Sequence, residues 1–413
     1  MDQILRRHAE TIMAASIQAV LPDEAVRRAL AGQEFGGRVV LVAAGKAAWQ
    51  MARAAYGCLG SRIDGGVVVT KYGHVMGSIG DFTLWEAGHP VPDENSFAGT
   101  QKALDLTAEL KAGDTVLFLL SGGGSALFEK PLVPGAVLQD VTGQLLACGA
   151  DIVEINTIRK RLSAVKGGRF ARHCAPARVF SIVLSDVLGD PLDMIASGPA
   201  VPDTSTSAQA AAIAQKYGLQ LTEETWAQLG QETPKTLDNV TTQINGSVRG
   251  LCAAAAAAAR NLGYEAILLT DQLVCQAREA GSFLASILKT HAGSGRKLAF
   301  IAGGETVVRL TGSGKGGRNQ ELALAAALGI DGIFGAAVFS VGSDGTDGPT
   351  DAAGGYVDFQ TVAELKAQGI DISRVLQDND SYHALQKTKG LLITGPTGTN
   401  VNDVAVALLN QEK

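Results

Sequence analysis

TVLFLLSGGGS, residues 115–125, gives the clearest indication of the fold class. Its first six residues are apolar apart from one threonine, which is typical of a strand buried on both faces of a parallel sheet. The next five are the glycine-rich set Ser121, Gly122, Gly123, Gly124 and Ser125. Backbone N–H groups beside glycines can approach an anion closely. The stretch therefore predicts a strand that ends in a nest for a phosphate group, with a flexible turn as the alternative.

The same pattern recurs along the chain. Apolar runs of strand length lie at residues 39–44, 66–70, 115–120, 179–184, 266–270, 298–302, 336–341 and 391–394. Segments of helical periodicity or high alanine content lie between most of them, at residues 47–59, 97–110, 137–147, 249–262, 277–291 and 319–328. Strands that alternate with helices predict βαβ units and a doubly wound α/β sheet. Ligands of such sheets bind beyond the carboxyl ends of the strands, so the residues there are the candidates for function.

Length and composition restrict the class of protein. A chain of 413 residues is too long for one core, and the polar segment 204–245 places a domain junction near residue 240, giving domains 1–240 and 241–413. The net charge of −6 and the lack of a basic patch exclude a nucleic-acid partner. No apolar run approaches the roughly 20 residues that cross a membrane. Five scattered cysteines without CxxC spacing predict a reducing, cytoplasmic location.

Charged residues in the N-terminal half follow the predicted strands. Lys46, in the segment AAGKAA, suits a phosphate contact, although an exposed lysine is an equal alternative. Asp186 follows the strand at 179–184 and suits a general base or a metal ligand. Arg159 and Lys166 belong to the most basic stretch, which could hold a substrate carboxylate or form a solvated helix face. His89 could act on substrate, but a lone histidine is more often structural.

The C-terminal half carries the stretch GSGKGGRNQE, residues 312–321. Its glycines have GxGxxG spacing, but the preceding element is short, and no acid stands about 20 residues on to bind a ribose. Arg318 and Asn319 at the start of the next helix suit a phosphate better. The loop 342–351 contains Asp344, Asp347 and Asp351, which could bind Mg²⁺ together with substrate phosphates or form Asx-turns.

A family resemblance joins these motifs. The segments GGET, residues 303–306, and GGRNQELAL, residues 316–324, resemble the signature of the MOFRL-type (class II) glycerate kinases, some of which are also called hydroxypyruvate reductases. The loops at 43–46, 121–125, 156–163, 185–190 and 342–351 match the same family in order. The resemblance implies a Rossmann-like doubly wound parallel sheet in the N-terminal domain, a second mixed α/β domain, and an active site in the cleft between them. It also implies transfer of the γ-phosphate of ATP, with Mg²⁺, to D-glycerate, usually at the 2-hydroxyl.

The resemblance and the motifs together give a set of expected roles. Lys46, Arg318 and Asp186 are expected to be catalytic, and residues 121–125 with Asn319 to bind ATP phosphates. The expected substrate contacts are Arg159, Lys166 and Glu305, and the expected metal ligands are Asp186, Asp344 and Asp351. The alternatives are NAD(P)H-dependent reduction of hydroxypyruvate through residues 312–317 and a non-catalytic sensor. The protein is expected to be a monomer or a homodimer.

Overall fold

The structure is a computed structural model that describes residues 1–411. The chain divides into two compact units. Residues 25–245 form what we call the parallel-sheet unit, and residues 1–24 together with those from 246 onward form the mixed-sheet unit. The expected division at residue 240 differs from this, because the first helix packs on a helix that begins at Val248 and so belongs with the C-terminal residues.

The parallel-sheet unit alternates strands and helices. Its strands are β1 (Val39–Ala44), β2 (Gly65–Lys71), β3 (Thr83–Ala87), β4 (Thr115–Leu120), β5 (Arg178–Leu184) and β6 (Val240–Gly246). Its helices are α2 (Pro22–Leu30), α3 (Ala48–Leu59), α4 (Glu94–Thr107), α5 (Gly124–Leu127), α6 (Gly135–Ala147), α7 (Ile152–Arg161), α8 (Arg169–Cys174), α9 (Ser207–Lys216) and α10 (Glu223–Leu229).

The sheet of this unit has the order β3-β2-β1-β4-β5-β6, and β1 to β5 pair in parallel. Every residue of β1 and β4 is buried. Alternate residues of β1 belong to different cores, since Val40 and Val42 pack on one face and Leu41 and Ala43 on the other. The predicted doubly wound α/β fold is therefore confirmed. The pattern missed β3 and β6, which mix polar with apolar residues at the two sheet edges.

The mixed-sheet unit is built from both ends of the chain. Its helices are α1 (Gln3–Ala19), α11 (Val248–Asn261), α12 (Ala277–His291), α13 (Arg318–Ile330), α14 (Thr361–Ala367), α15 (Ile372–Gln377) and α16 (Ser381–Lys387). Its strands are β7 (Glu265–Leu273), β8 (Lys297–Gly304), β9 (Ala336–Gly342), β10 (Gly354–Asp358), β11 (Leu391–Leu392) and β12 (Asp403–Asn410). None of the helices within residues 1–411 is both long and apolar enough to cross a membrane.

The second sheet has the order β11-β10-β9-β12-β8-β7. Among the described strands of this sheet, β7 and β8 pair in parallel and the other neighbours are antiparallel. The mixed sheet expected from the resemblance is confirmed, but the apolar pattern alone was wrong in predicting that β9 is parallel. β9 is apolar because it is buried along its whole length, and that burial does not depend on the direction of its neighbours.

Candidate functional site

Two loops of the parallel-sheet unit are joined where β1 and β4 end. Lys46 N donates to Gly122 O at 2.9 Å, and Ala47 N donates to Ser121 Oγ at 3.1 Å. Ser121 N in turn donates to Ala44 O at 3.0 Å. These bonds fix the backbone on both sides of Lys46, so its side chain starts from a defined position beside the glycine loop.

The glycines of the loop are required by what surrounds them. A Cβ at Gly122 would lie 2.2 Å from Asp186 Oδ2, which follows β5. Gly123 has a φ of +84°, and a Cβ there would lie 2.9 Å from the ring of His89 and 3.2 Å from Lys46 Cγ. The structure therefore brings a lysine, an aspartate and a histidine from three different loops around the predicted phosphate nest.

The charge around the nest is positive on the Lys46 side. Burial lowers the pKa of His89, and the nearby charges of Lys46 and Lys71 lower it further, with a smaller effect of His74. His89 is thus neutral at pH 7 and sits in a field that attracts anions. Sequence reasoning gave greater weight to a structural role for this residue, because nothing in the sequence shows that it contacts Gly123.

Two cations support the other end of the nest. Lys166 Nζ donates to Ser125 O at 2.9 Å and to Phe128 O at 3.0 Å, and it lies 3.1 Å from the carboxylate of Glu129. Arg159 Nη2 also donates to Ser125 O, at 3.0 Å. Burial lowers the pKa of Lys166 to about 8, against the opposing effect of Glu129. Lys166, expected to bind substrate, is fully buried and stabilises the nest through its bonds to the carbonyl groups of Ser125 and Phe128.

The rest of the basic stretch is also buried. Lys160 Nζ lies 3.2 Å from Asp203 and 3.4 Å from Asp193. The fully buried Arg161 donates to Ser205 Oγ and Ser205 O, both at 2.9 Å. These cations connect α7 to the loops that precede α9, so they do not form a solvated helix face.

In the mixed-sheet unit, Arg318 begins α13 and is held by two carboxylates. Its Nε and Nη2 donate to the two oxygens of Asp403 at 2.5 and 3.0 Å, and its Nη1 donates to Glu305 Oε1 at 2.9 Å. Burial alone would lower the pKa of Arg318, but the bonds with Asp403 outweigh it and raise the pKa. The side chain is 33% exposed, so a fixed cation keeps one open side. Glu305, expected to bind substrate, serves here to hold Arg318.

Asn319 does not present free donors to a ligand. Its N and Nδ2 donate to Asp347 Oδ1 at 3.1 and 3.3 Å, its Oδ1 accepts from Ser340 Oγ at 2.5 Å, and it is 1% exposed. Gln320 N donates to the other oxygen of Asp347 at 2.9 Å. Burial raises the pKa of Asp347 to about 6 despite these bonds. The expected phosphate contact at Asn319 is therefore replaced by a carboxylate of the protein itself, which occupies the N-terminus of α13.

The expected metal ligands do not gather into one cluster. Asp351 is exposed and accepts a 2.7 Å bond from the hydroxyl of Tyr382, which lowers its pKa. Asp344 accepts from Thr346 N at 3.0 Å within its own loop. Within residues 1–411 no three acidic, histidine or cysteine side chains are grouped as metal ligands. Mg²⁺ usually takes only one or two carboxylates and completes its shell with water and phosphate, so Asp186 beside the nest fits that donor set.

The GxGxxG segment has a different role from a dinucleotide loop. The N–H groups of residues 311–315 donate to oxygens of residues 378–380 over 2.7 to 3.0 Å. A dinucleotide loop needs such N–H groups for the pyrophosphate, and it follows a strand. Here residues 308–314 are not in a strand. The spacing of Gly312 and Gly314 is explained by their close contact with this acidic turn, and Gly317 is in close contact with Asp347.

Comparison with known proteins identifies the family. A profile described as a domain of unknown function, DUF4147, matches residues 8–229, and the MOFRL family profile matches residues 298–403. A protein of Thermotoga maritima named D-glycerate 2-kinase is 54% identical over 411 residues, which are 98% of this chain and 98% of that protein. The chain belongs to the MOFRL-type glycerate kinase family.

Other members extend the comparison. The crystal structure of a glycerate kinase from Thermotoga maritima superposes with a TM-score of 0.95 at 54% identity, covering 99% of this chain and 100% of that one. A family member from Agrobacterium vitis, provisionally named a hydroxypyruvate reductase, is 39% identical over 423 residues, covering 98% of this chain and 94% of that protein. Two activities are thus named within the MOFRL-type family, and the occupied N–H groups of residues 311–315 favour the kinase.

Proposed function

We propose that this protein phosphorylates the 2-hydroxyl of D-glycerate with the γ-phosphoryl group of ATP. The observation that carries the proposal is the nest at residues 121–125, with Lys46 on one side and Asp186 on the other. A relative named D-glycerate 2-kinase, 54% identical along the full chain, supports the choice of substrate and hydroxyl.

The chemistry needs placement and charge more than covalent work by the protein. The substrate oxygen forms a bond to the γ-phosphorus, the bond from that phosphorus to the β-bridging oxygen breaks, and ADP leaves. Lys46 and the nest N–H groups neutralise charge on the phosphates. Arg318 of the mixed-sheet unit is a further proposed catalytic cation. Asp186 orients the hydroxyl and accepts its proton.

Mg²⁺, when bound, would neutralise charge on the ATP phosphates, and Asp186 beside the nest is the carboxylate that would hold it, as the alternative to its role as base. Asp344 of the mixed-sheet unit is a further candidate ligand. We leave Asp351 out of this set because its bond with Tyr382 fixes it at the surface. Arg159 remains a proposed contact for the substrate carboxylate. Lys166 and Glu305 act by positioning, the first on Ser125 and the second on Arg318.

The test uses purified protein with two substrate pairs. D-Glycerate with Mg-ATP is assayed for ADP release, and phosphorus NMR identifies the product as 2- or 3-phosphoglycerate. Hydroxypyruvate with NADH is assayed for NADH oxidation. ADP release that depends on glycerate, with 2-phosphoglycerate as product, is the expected result, and NADH oxidation alone would refute the proposal.

The role of Lys46 is tested by substitution. Lys46→Ala should lower kcat roughly 10²-fold or more, as the loss of a preorganised charge does. Lys102→Ala, an exposed change on α4, is the matched control and should keep wild-type kinetics. Turnover of Lys46→Ala close to that of the control would remove Lys46 from the mechanism.

A further inference from the structure

Asn156 of α7 is a buried amide whose side-chain donor has only a weak acceptor among residues 1–411. The residue is 3% exposed, and its Oδ1 accepts a 2.8 Å bond from Ser197 Oγ. Within residues 1–411, the acceptor recorded for its Nδ2 is the thioether sulfur of Met194, 3.7 Å away. A thioether is a weak acceptor, and a buried N–H without a good partner costs free energy. A ligand oxygen at this position would recover that free energy.

An unused donor lies one turn further along α7. Arg159 stands three residues after Asn156, so both side chains lie on one side of the helix. Arg159 Nη2 donates to Ser125 O, whereas its buried Nε has no hydrogen-bond acceptor in the described part of the chain. The Arg159 side chain is 14% exposed, and its Nη2 lies 3.7 Å from the Glu129 carboxylate. An amide and a guanidinium with spare donors thus lie together beside the end of the nest.

Ser197 supplies an acceptor at the same place. Its hydroxyl proton is given to Asn156, so its oxygen is left to accept, and Ser125 Oγ lies 3.4 Å from it. Ala196 and Ser197 have φ values of 50° and 61°, in the left-handed region. For residues with a Cβ that conformation is strained, and such strain is concentrated at functional sites. The strained turn packs closely against the nest, since a Cβ at Gly124 would lie 2.8 Å from Ala196 Cβ.

We propose that Asn156, Arg159 and Ser197 form the subsite that recognises the phosphoryl acceptor as a 2-hydroxycarboxylate. Asn156 Nδ2 and the Arg159 guanidinium donate to its carboxylate, and Ser197 Oγ accepts from a hydroxyl of the same molecule. Charge-assisted bonds to a carboxylate are about twice as strong as neutral ones, so the subsite selects an acid over a neutral polyol. The inference rests on the proposed glycerate kinase activity and names the groups that choose its acceptor.

The decisive variant is Asn156→Asp, which keeps the shape and the bond from Ser197 but turns the donor into a negative charge. KM for D-glycerate should rise roughly 10- to 100-fold, the loss expected for a hydrogen bond to a charged group, while KM for ATP stays within about twofold. Asn261→Asp makes the same change at the exposed end of α11 and should alter neither constant. Ser197→Ala is a second variant and should raise KM for D-glycerate roughly tenfold.

Glyceramide, the neutral amide of glyceric acid, separates recognition of charge from a general loss of structure. The wild-type protein should prefer glycerate over glyceramide, and Asn156→Asp should lose most of that preference. Unchanged preference, or equal increases of KM for glycerate and ATP, would overturn the subsite.

Direct titration of D-glycerate keeps the subsite separate from the kinase activity. If the wild-type protein binds D-glycerate but does not turn it over with ATP, the proposed function fails, and weaker binding by Asn156→Asp still supports the subsite. Equal binding by the two proteins, or no binding by the wild type, overturns it.

Discussion

Replacing Lys166 by methionine tests how the nest is supported. Lys166 Nζ lies 3.1 Å from Glu129, and neither side chain has any exposed surface. The same nitrogen donates to Ser125 O and Phe128 O. Methionine fills a similar volume but donates no hydrogen bond. Among residues 1–411, Lys166→Met therefore leaves the buried Glu129 carboxylate with Arg159, 3.7 Å away, as its remaining ion-pair partner.

Removing one partner of a buried ion pair costs about 3–5 kcal/mol, because the remaining charge is left without compensation. We expect Lys166→Met to lower the free energy of unfolding of the parallel-sheet unit by about that amount. Glu129→Gln in the same protein removes the uncompensated charge. The double variant should therefore be more stable than the sum of the single losses predicts, by about 1–3 kcal/mol.

Urea unfolding followed by tryptophan fluorescence measures this unit selectively, since Trp49, Trp85 and Trp226 all lie within residues 25–245. Lys102→Met is the control for loss of an exposed lysine and should change the free energy of unfolding by less than about 0.5 kcal/mol. A loss below about 1 kcal/mol for Lys166→Met, or strictly additive single effects, would refute the proposed support of the nest by a buried pair.

The pKa of Lys166 adds a pH dependence with a defined sign. In the unfolded chain a lysine keeps its proton to about pH 10.4, whereas burial lowers the pKa of Lys166 in the folded protein to about 8. Between these values the unfolded chain binds more protons, so stability rises with pH. Unfolding measured from pH 7.5 to 10 should show this rise in the wild type, and Lys166→Met should lack that component. The same slope in both proteins would contradict the shift.

Three further predictions concern the nest and the residues around the start of α13. Gly122→Ala should lower kcat at least about tenfold, because its Cβ would displace Asp186. Gly143→Ala, whose Cβ meets open space in α6, is the control and should have wild-type kinetics. Equal kinetics of the two variants would contradict the close approach of Gly122 and Asp186. Asp403→Asn should lower kcat roughly tenfold by loosening Arg318, measured in steady state with the fold checked by calorimetry, and unchanged kcat would exclude this positioning role. Burial raises the pKa of Asp347 in the folded protein to about 6. Between about pH 4 and 6 the folded protein therefore binds more protons than the unfolded chain. The free energy of unfolding should fall by up to about 3 kcal/mol as pH rises through that range. Calorimetry of Asp347→Asn against wild type should show that component disappear, and parallel pH profiles would disprove it.

The sequence predicted elements well where burial on both faces leaves a continuous apolar run. The predicted bounds of β1, β4 and α12 agree with the structure, since each run is delimited by polar or small residues. β10 was missed because it begins with two glycines, which carry no strand signal. β12 was missed although residues 404–409 are apolar, because no following helix marks it as part of a βαβ unit.

Some residues of the candidate site could be placed from the sequence, and others could not. Lys46, Asp186 and the nest follow strands directly, so the sheet topology alone brings them together. The burial of Lys166, the bonds of Asn319 with Asp347 and the weakly paired donor of Asn156 depend on partners 28 to 41 residues away. Spacing carries no information about such partners. The sequence therefore indicates candidate charged residues but not the partners that each of them contacts.

β12 is formed by the last described strand residues of the chain, yet it lies in the middle of its sheet, between β8 and β9. A fragment cut at the limits of the MOFRL match would stop at residue 403, the first residue of β12, and would leave two apolar strands with open edges. Open edges of that kind recruit other chains and aggregate. A fragment meant to fold by itself would have to continue through Asn410 and include α1, which precedes the parallel-sheet unit in the sequence. The mixed-sheet unit is thus discontinuous in sequence, with residues 25–245 lying between its two segments.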